Sequence, residues 1–279
     1  MKVIISMFLV LSLFSSCKGQ KNADNSENDW VINKLAGKVK QIKEITYDGD
    51  DMSKTIKGAL EINYNGDGYI TQIYSHGIYE NTDPTTTKVY DSNNKLIKIT
   101  FYDSDNNELE KITYTHSKGG KEIDKKIVSK SSNIEFSEKV ILKYNEADQM
   151  IGSQTIQDGK VRSTLSIKDS AGQKITEEKL LDIKGKPHSR TVKKYDKRKN
   201  LLEKYEYGGS DGNSLDFKVI FKYDDKNNPV EIIKYYGNGS IRYQDSSEYL
   251  YDKTGNWIKK TDFRDNHMTE VTERKIQYY

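Results

Sequence analysis

With 279 residues, 34% of them apolar and 31% charged, the chain has too little apolar material for a thick two-layer core along its whole length. A thin or elongated structure, in which each unit buries surface mainly against its neighbours, suits that composition better. The net charge of +3 comes from interleaved signs and forms no basic stripe for nucleic acid. The 20 tyrosines and many short apolar strings separate the chain from a disordered polar one.

The first element is residues 1–16, read as a signal peptide: Lys2, an apolar run from Val3 to Phe14, then small residues before Cys17. The run is too short to cross a bilayer as a helix. "FSSC", Phe14 to Cys17, resembles the lipobox of bacterial lipoproteins, which implies that Cys17 is acylated and heads the mature chain. Phe14 stands where that family usually has Leu. The other reading is an ordinary cleaved signal with an incidental cysteine. Residues 17–29 then form the lipidated cysteine and a polar tether, and residues 30–279 a single β domain. Cys17 is the sole cysteine, so no internal disulfide is expected, and no later apolar run approaches the ~18 residues of a membrane helix. The Lys/Asn/Tyr-rich composition looks like that of Bacteroidota lipoproteins, in which acidic residues after the cysteine favour the cell surface. Here Lys18, Gly19, Gln20 and Lys21 follow, which points to the outer membrane facing the periplasm.

Residues 28–37, "NDWVINKLAG", fit a short helical turn before the first strand. Beyond it a motif recurs, starting at Tyr64, Tyr90, Tyr144, Ile167, Tyr195, Tyr223 and Tyr251, with a degenerate copy near residues 114–123. The last four starts are 28 residues apart, a repeat period. Each unit reads as two strands. An Asp/Asn/Gly turn follows the tyrosine, and a second turn comes halfway through, as at Asp158-Gly159 or Gly237-Asn238-Gly239. The intervening runs are rich in Ile, Val, Tyr and Thr, which favour strands. In "LDFKVIFKY", Leu215, Phe217, Val219, Phe221 and Tyr223 share one face, whereas "EIIKYY" is apolar on both. The expectation is an all-β antiparallel meander of sixteen strands. At ~4.8 Å spacing it would make a sheet on the order of 75 Å wide, twisted and curved but open, at most a half-barrel.

"YDxxGNWIKKxxF" and its relatives, over residues 60–279, resemble the YD repeats of the RHS family, in which Tyr-Asp begins a hairpin and successive units form one spiralling sheet. RHS proteins are far longer, close into a shell and carry a toxin domain after the repeats. This sequence stops inside a unit, so the resemblance implies a small repeat lipoprotein and not a delivery shell.

Chemistry is sparse. His76, His116, His188 and His267 are far apart, mostly in turn-like segments, at no metal-ligand spacing. Residues 103–114 begin like a calcium loop but have Glu108 and Tyr114 where Gly and Glu belong. Asp91, Asp103, Asp196, Asp224 and Asp252 recur at one point of the repeat, where a side chain accepts backbone N–H bonds within a turn. No catalytic residue, metal or cofactor is expected. Tyr205, Tyr207, Tyr235, Tyr236 and Tyr243, near turns, are the candidate ligand contacts, each an apolar ring with a polar tip. Two functions stay open: a non-catalytic scaffold binding an envelope protein through the sheet surface or its unpaired edges, or a glycan binder using a tyrosine face. A lipid carrier is a weaker third, because lysines and glutamates occur in nearly every strand. The membrane is engaged through the N-terminal lipid alone.

Overall fold

The structure is a computed structural model that describes residues 27–49, 55–77, 85–103, 105–117, 119–170, 173–209 and 211–279. The segment read as a signal peptide, Cys17 and most of the segment read as a tether lie outside the described residues. The helix α1 (Asp29–Ile32) is followed by β1 (Val39–Asp48), β2 (Ile56–Tyr64), β3 (Ile70–Gly77), β4 (Thr85–Tyr90), β5 (Leu96–Tyr102) and β6 (Glu108–His116). Next come β7 (Glu122–Ser129), β8 (Ile134–Tyr144), β9 (Met150–Gln157), β10 (Lys160–Ser170), β11 (Gln173–Leu181) and β12 (Pro187–Tyr195). The last third holds β13 (Leu201–Gly208), β14 (Ser214–Tyr223), β15 (Pro229–Tyr236), β16 (Ile241–Tyr251), β17 (Trp257–Arg264) and β18 (His267–Tyr278).

Each strand pairs antiparallel with the next, and β1 pairs with both β2 and β18. The β1–β18 seam is long, running from Val39↔Tyr278 to Asp48↔Glu270. The meander expected from the sequence is therefore present, but it is a closed barrel of 18 strands, not an open sheet or half-barrel of sixteen. Closure removes the bare edges on which strand addition would depend. The thinnest seam is β3–β4, with two registered pairs.

The repeated motif has a local cause. In the β4–β5 hairpin, the Asp91 N–H donates to the Lys95 carbonyl and the Asn94 N–H to the Asp91 carbonyl, while Asn94 sits at φ 58°. This is a type I turn closed by one left-handed residue, a favoured hairpin connection. The Asp91 carboxylate accepts the N–H groups of Asn93 and Lys95 at 2.8 and 2.9 Å. Asp103, Asp182, Asp224 and Asp252 do the same, and Asn65 stands in at β2–β3. The tyrosine is used as well. Tyr278 donates its hydroxyl to the Asp252 carboxylate of the preceding unit at 2.5 Å and accepts from Asn256 Nδ2 at 2.8 Å. Tyr251 relates to Asp224 and Asn228 in the same way. Tyr-Asp is thus a tie between successive units as well as a turn signal.

Two details differ from the sequence reading. Ile167 lies inside β10, whose pairing with β11 runs on to Ser170↔Gln173, so this unit has a shorter turn than its neighbours. The four histidines belong to strands β3, β6, β12 and β18 and not to turns.

Candidate functional site

Following the registers around the ring assigns the two faces of the wall. Ile42 stands opposite Ile62, which faces Ile73, and the walk continues through Thr86, Phe101, Glu110 and Ser129. On the far side the same face carries Thr191, Glu206, Phe217 and Tyr236, and it returns through Ile276 to Ile42. Trp30 and Leu35, which precede the first strand, pack on this face at Ile42, Tyr64, Ile70 and Tyr278. It is the lumen face. Most buried apolar residues lie on it: Ile42, Tyr64, Ile99, Ile112, Tyr114, Ile123, Ile127, Val140, Leu142 and Val219.

The opposite parity carries ion pairs, together with Val192, Tyr205, Tyr207, Ile220, Ile233 and Tyr235 on β12–β15. Lys43 pairs with Glu61 at 3.0 Å, Lys126 with Glu135 at 2.7 Å, Lys139 with Glu122 at 3.2 Å and Lys194 with Glu203 at 2.8 Å. Solvent-accessible pairs of this kind contribute little stability, about 0–1 kcal/mol each. Their significance lies elsewhere: a barrel in a bilayer needs an outward apolar band, and each Lys or Arg at mid-membrane depth costs about 2–4 kcal/mol. On β1–β2, β7–β8 and β12–β13 the outer parity carries such charges.

One mouth is strapped. All hairpins that join an even-numbered strand to the next open at the same end of the ring, and residues 27–38 cross that end. The Asp29 carboxylate accepts the Ile70 N–H at 2.6 Å and the Tyr90 hydroxyl at 3.3 Å, on the β2–β5 side. Lys34 reaches Asn200 and, at 2.8 Å, the Asn227 carbonyl, on the β12–β15 side. Ala36 exchanges two 2.8 Å hydrogen bonds with the Asn256 side chain, and Trp30 Nε1 donates to the Val39 carbonyl at 2.8 Å. Contacts with turns ten strands apart require the segment to span the opening.

Inside, the two halves of the wall differ. The β5–β8 part is a sealed apolar core of Ile99, Ile112, Tyr114, Ile123, Ile127, Val140 and Leu142. Its buried Lys125 is paired with Glu138 at 3.0 Å. Burial pushes the Tyr114 hydroxyl upward, with Glu138 adding to the effect. Along β10–β15 the lumen side chains Leu165, Ile167, Thr176, Glu178, Lys193, Lys204, Phe217, Ile232 and Lys234 are only half-buried. Barrels of 16–18 strands are wide enough to leave interior space, and this half is the less tightly filled.

The sequence-predicted tyrosines do not form one patch. Tyr205 and Tyr207 stack at 6.5 Å on the outer wall, and Tyr235 joins them through Lys218, which stands opposite both Tyr205 and Tyr235. Tyr236 and Tyr243 follow the lumen parity, Tyr236 opposite Phe217 and Tyr243 opposite Lys234. The outer rings are already covered by cations: the Arg190 guanidinium lies 3.8 Å from the Tyr207 ring centre, and Lys194 and Lys218 lie 5.2 and 5.4 Å from that of Tyr205. The lumen lysines were missed because, without the registers, they look like the outer ones. Among the described residues no cluster of three His, Cys, Asp or Glu side chains is arranged to hold a metal.

No family model matches the chain, and no curated protein matches it. Among solved structures it is similar to a porin-like protein from Bacteroides uniformis at 12% identity and TM-score 0.38, covering 86% of this chain and 98% of that one. A porin-like protein from Bacteroides vulgatus matches at 12% identity and TM-score 0.34, covering 87% and 99%. The Tc holotoxin pore of Photorhabdus luminescens matches at 11% identity and TM-score 0.20, covering 81% of this chain and 15% of that one. These likenesses are too loose to carry a function.

Proposed function

We propose that the protein is a lipid-anchored, water-facing barrel of the bacterial cell envelope that works by binding and not by catalysis. The observations that carry this reading are the recurrent Lys–Glu pairs on the outer parity and the mouth strapped by the segment that leads back to Cys17. Glu27, ten residues after Cys17, reaches Lys199 at that same mouth. On this reading the tether leaves from the strapped end, and the barrel stands on the outer membrane with its opposite mouth turned to the periplasm. The recurrent aspartates are occupied in turn hydrogen bonds, which accounts for them without a catalytic role.

A scaffold acting through sheet edges does not survive closure. A scaffold acting through the charged outer wall remains, with an envelope protein as its partner. The glycan reading loses its single tyrosine face, because Arg190, Lys194 and Lys218 occupy the rings of Tyr205 and Tyr207.

The test is fractionation of the wild type and Cys17→Ser in the native host, with intact mass of the mature chain. The reading expects an acylated wild type in the membrane fraction and a Cys17→Ser protein released without detergent. Retention of Cys17→Ser in the membrane would sink it, as would an unacylated wild type.

A further inference from the structure

Lys193 on β12 and Lys204 on β13 stand directly opposite each other on the lumen face. Like charges in that position repel. The outer wall shows how the same problem is solved elsewhere. Lys179 and Arg190 are also directly opposite, and the Glu177 carboxylate bridges them at 3.5 and 3.4 Å. The lumen pair has no such bridge. Glu206 is taken by Lys204 and by Lys234 at 3.9 Å. Among the described residues, Lys193 has no ion pair or hydrogen-bond partner; Glu178 and Glu206 act on it only from a distance. Loss of water, with the Lys204 charge beside it, holds the Lys193 ammonium below its usual range.

The same row runs on through Val219 on β14 to Lys234 on β15. Phe217, Phe221 and Ile232 flank it on the lumen face. This is the half-buried part of the wall, whereas the β5–β8 core is sealed. Three lysines, of which only Lys204 and Lys234 share a paired carboxylate in Glu206 while Glu178 acts from a distance, thus lie beside a strip of apolar side chains in the less tightly filled half of the barrel.

We propose that the lumen binds an anionic amphiphile, its carboxylate or phosphate bridging Lys193 and Lys204, with Lys234 nearby and its hydrocarbon laid along Phe217, Val219, Phe221 and Ile232. The head group supplies the bridge that Glu177 supplies outside. A charged head in this position makes charge-assisted hydrogen bonds, about twice as strong as neutral ones. The site rests on the reading of the barrel as a binding protein, but it does not depend on the anchor.

The experiment uses the mature chain from residue 17 with Cys17→Ser, so that no detergent competes. Titration with oleate and with oleoyl lysophosphatidate, set against oleyl alcohol, reads the head group. Saturable binding of at least one anion is expected, weakening with added salt, at least about tenfold tighter than the alcohol. Lys193→Met with Lys204→Met should remove that preference, and Lys193→Arg with Lys204→Arg should restore most of it. Lys43→Met with Lys275→Met, another directly opposed pair but on the outer wall, should change nothing. Absence of saturable binding by both anions overturns the proposal, and so does a head-group preference that persists in the double Met variant while its thermal unfolding stays cooperative. The water-facing barrel would survive either result, since its own test is fractionation.

Discussion

Asn256→Ala isolates the strap. The Asn256 side chain is 3% exposed, receives the Ala36 N–H, donates to the Ala36 carbonyl and donates to the Tyr278 hydroxyl, each at 2.8 Å. Alanine removes all three and leaves two strap backbone groups unpaired in a part-buried site. At about 1–3 kcal/mol per orphaned group, lessened by water that enters the cavity, the cost is about 3 kcal/mol. A chain of 279 residues with an unfolding entropy of about 2.1 cal/mol/K per residue turns that into a Tm drop of about 5 °C. Asn228→Ala is the matched control. It occupies the same motif position, and its side chain reaches Tyr251 at 2.9 Å but no strap residue. It should lose about 1 kcal/mol, or about 2 °C. The assay is calorimetry paired with hydrogen exchange at the Ala36 amide, which should lose protection in Asn256→Ala alone. Equal Tm losses in the two variants, or an Ala36 amide still protected in Asn256→Ala, would refute the strapped mouth.

Other perturbations have defined outcomes. Asp148→Gly should stabilise by about 1 kcal/mol in denaturant titrations, because Asp148 sits in the left-handed turn position at φ 58° that glycine adopts freely. Gly237→Ala should cost more than about 2 kcal/mol, because a Cβ there would overlap the Leu215 carbonyl oxygen on the neighbouring strand. Lys193→Met should raise Tm, by removing a desolvated charge set against Lys204, while weakening the anion preference. Backbone N–H bonds hold the Asp103, Asp182 and Asp211 carboxyls below their usual range. A depressed folded-state pKa gives stability that is present above the unfolded value and lost as pH falls through the folded one, so unfolding midpoints should fall below about pH 4. Asp182→Asn keeps the acceptor without the proton, and its contribution to that acid slope should vanish.

The hairpins were legible because their determinants are local. The Asp-x-x-Gly/Asn spacing fixes the left-handed residue and the carboxylate acceptor within five residues, as at Asp252 and Gly255. The helical turn before β1 was equally local, with Asn28 capping it through Val31. Closure was not, because it depends on β1 meeting β18 across more than two hundred residues. Parity was blurred by the register shift after each turn, which explains why "LDFKVIFKY" read as one clean face. Phe217, Val219, Phe221 and Tyr223 do line the lumen, but the irregularity at Tyr207↔Leu215 turns Leu215 outward. The same effect divided the five candidate tyrosines between two faces. It also hid the division of the charges, with Lys43, Lys126 and Lys139 outside and Lys193, Lys204 and Lys234 inside. Lysine count argued against a carrier; lysine placement opens a specific seat for an anion.

The β1–β18 seam is what closes the wall. Spin labels at Lys43→Cys and Lys275→Cys, on a Cys17→Ser background, report on residues that are directly opposed in the barrel. Opposed residues on paired strands have Cα atoms about 5 Å apart, so closure predicts strong dipolar broadening of the EPR spectrum. An open sheet of the same 18 strands would place the labels on the order of 80 Å apart at ~4.8 Å per strand, and a spectrum without broadening would contradict the barrel.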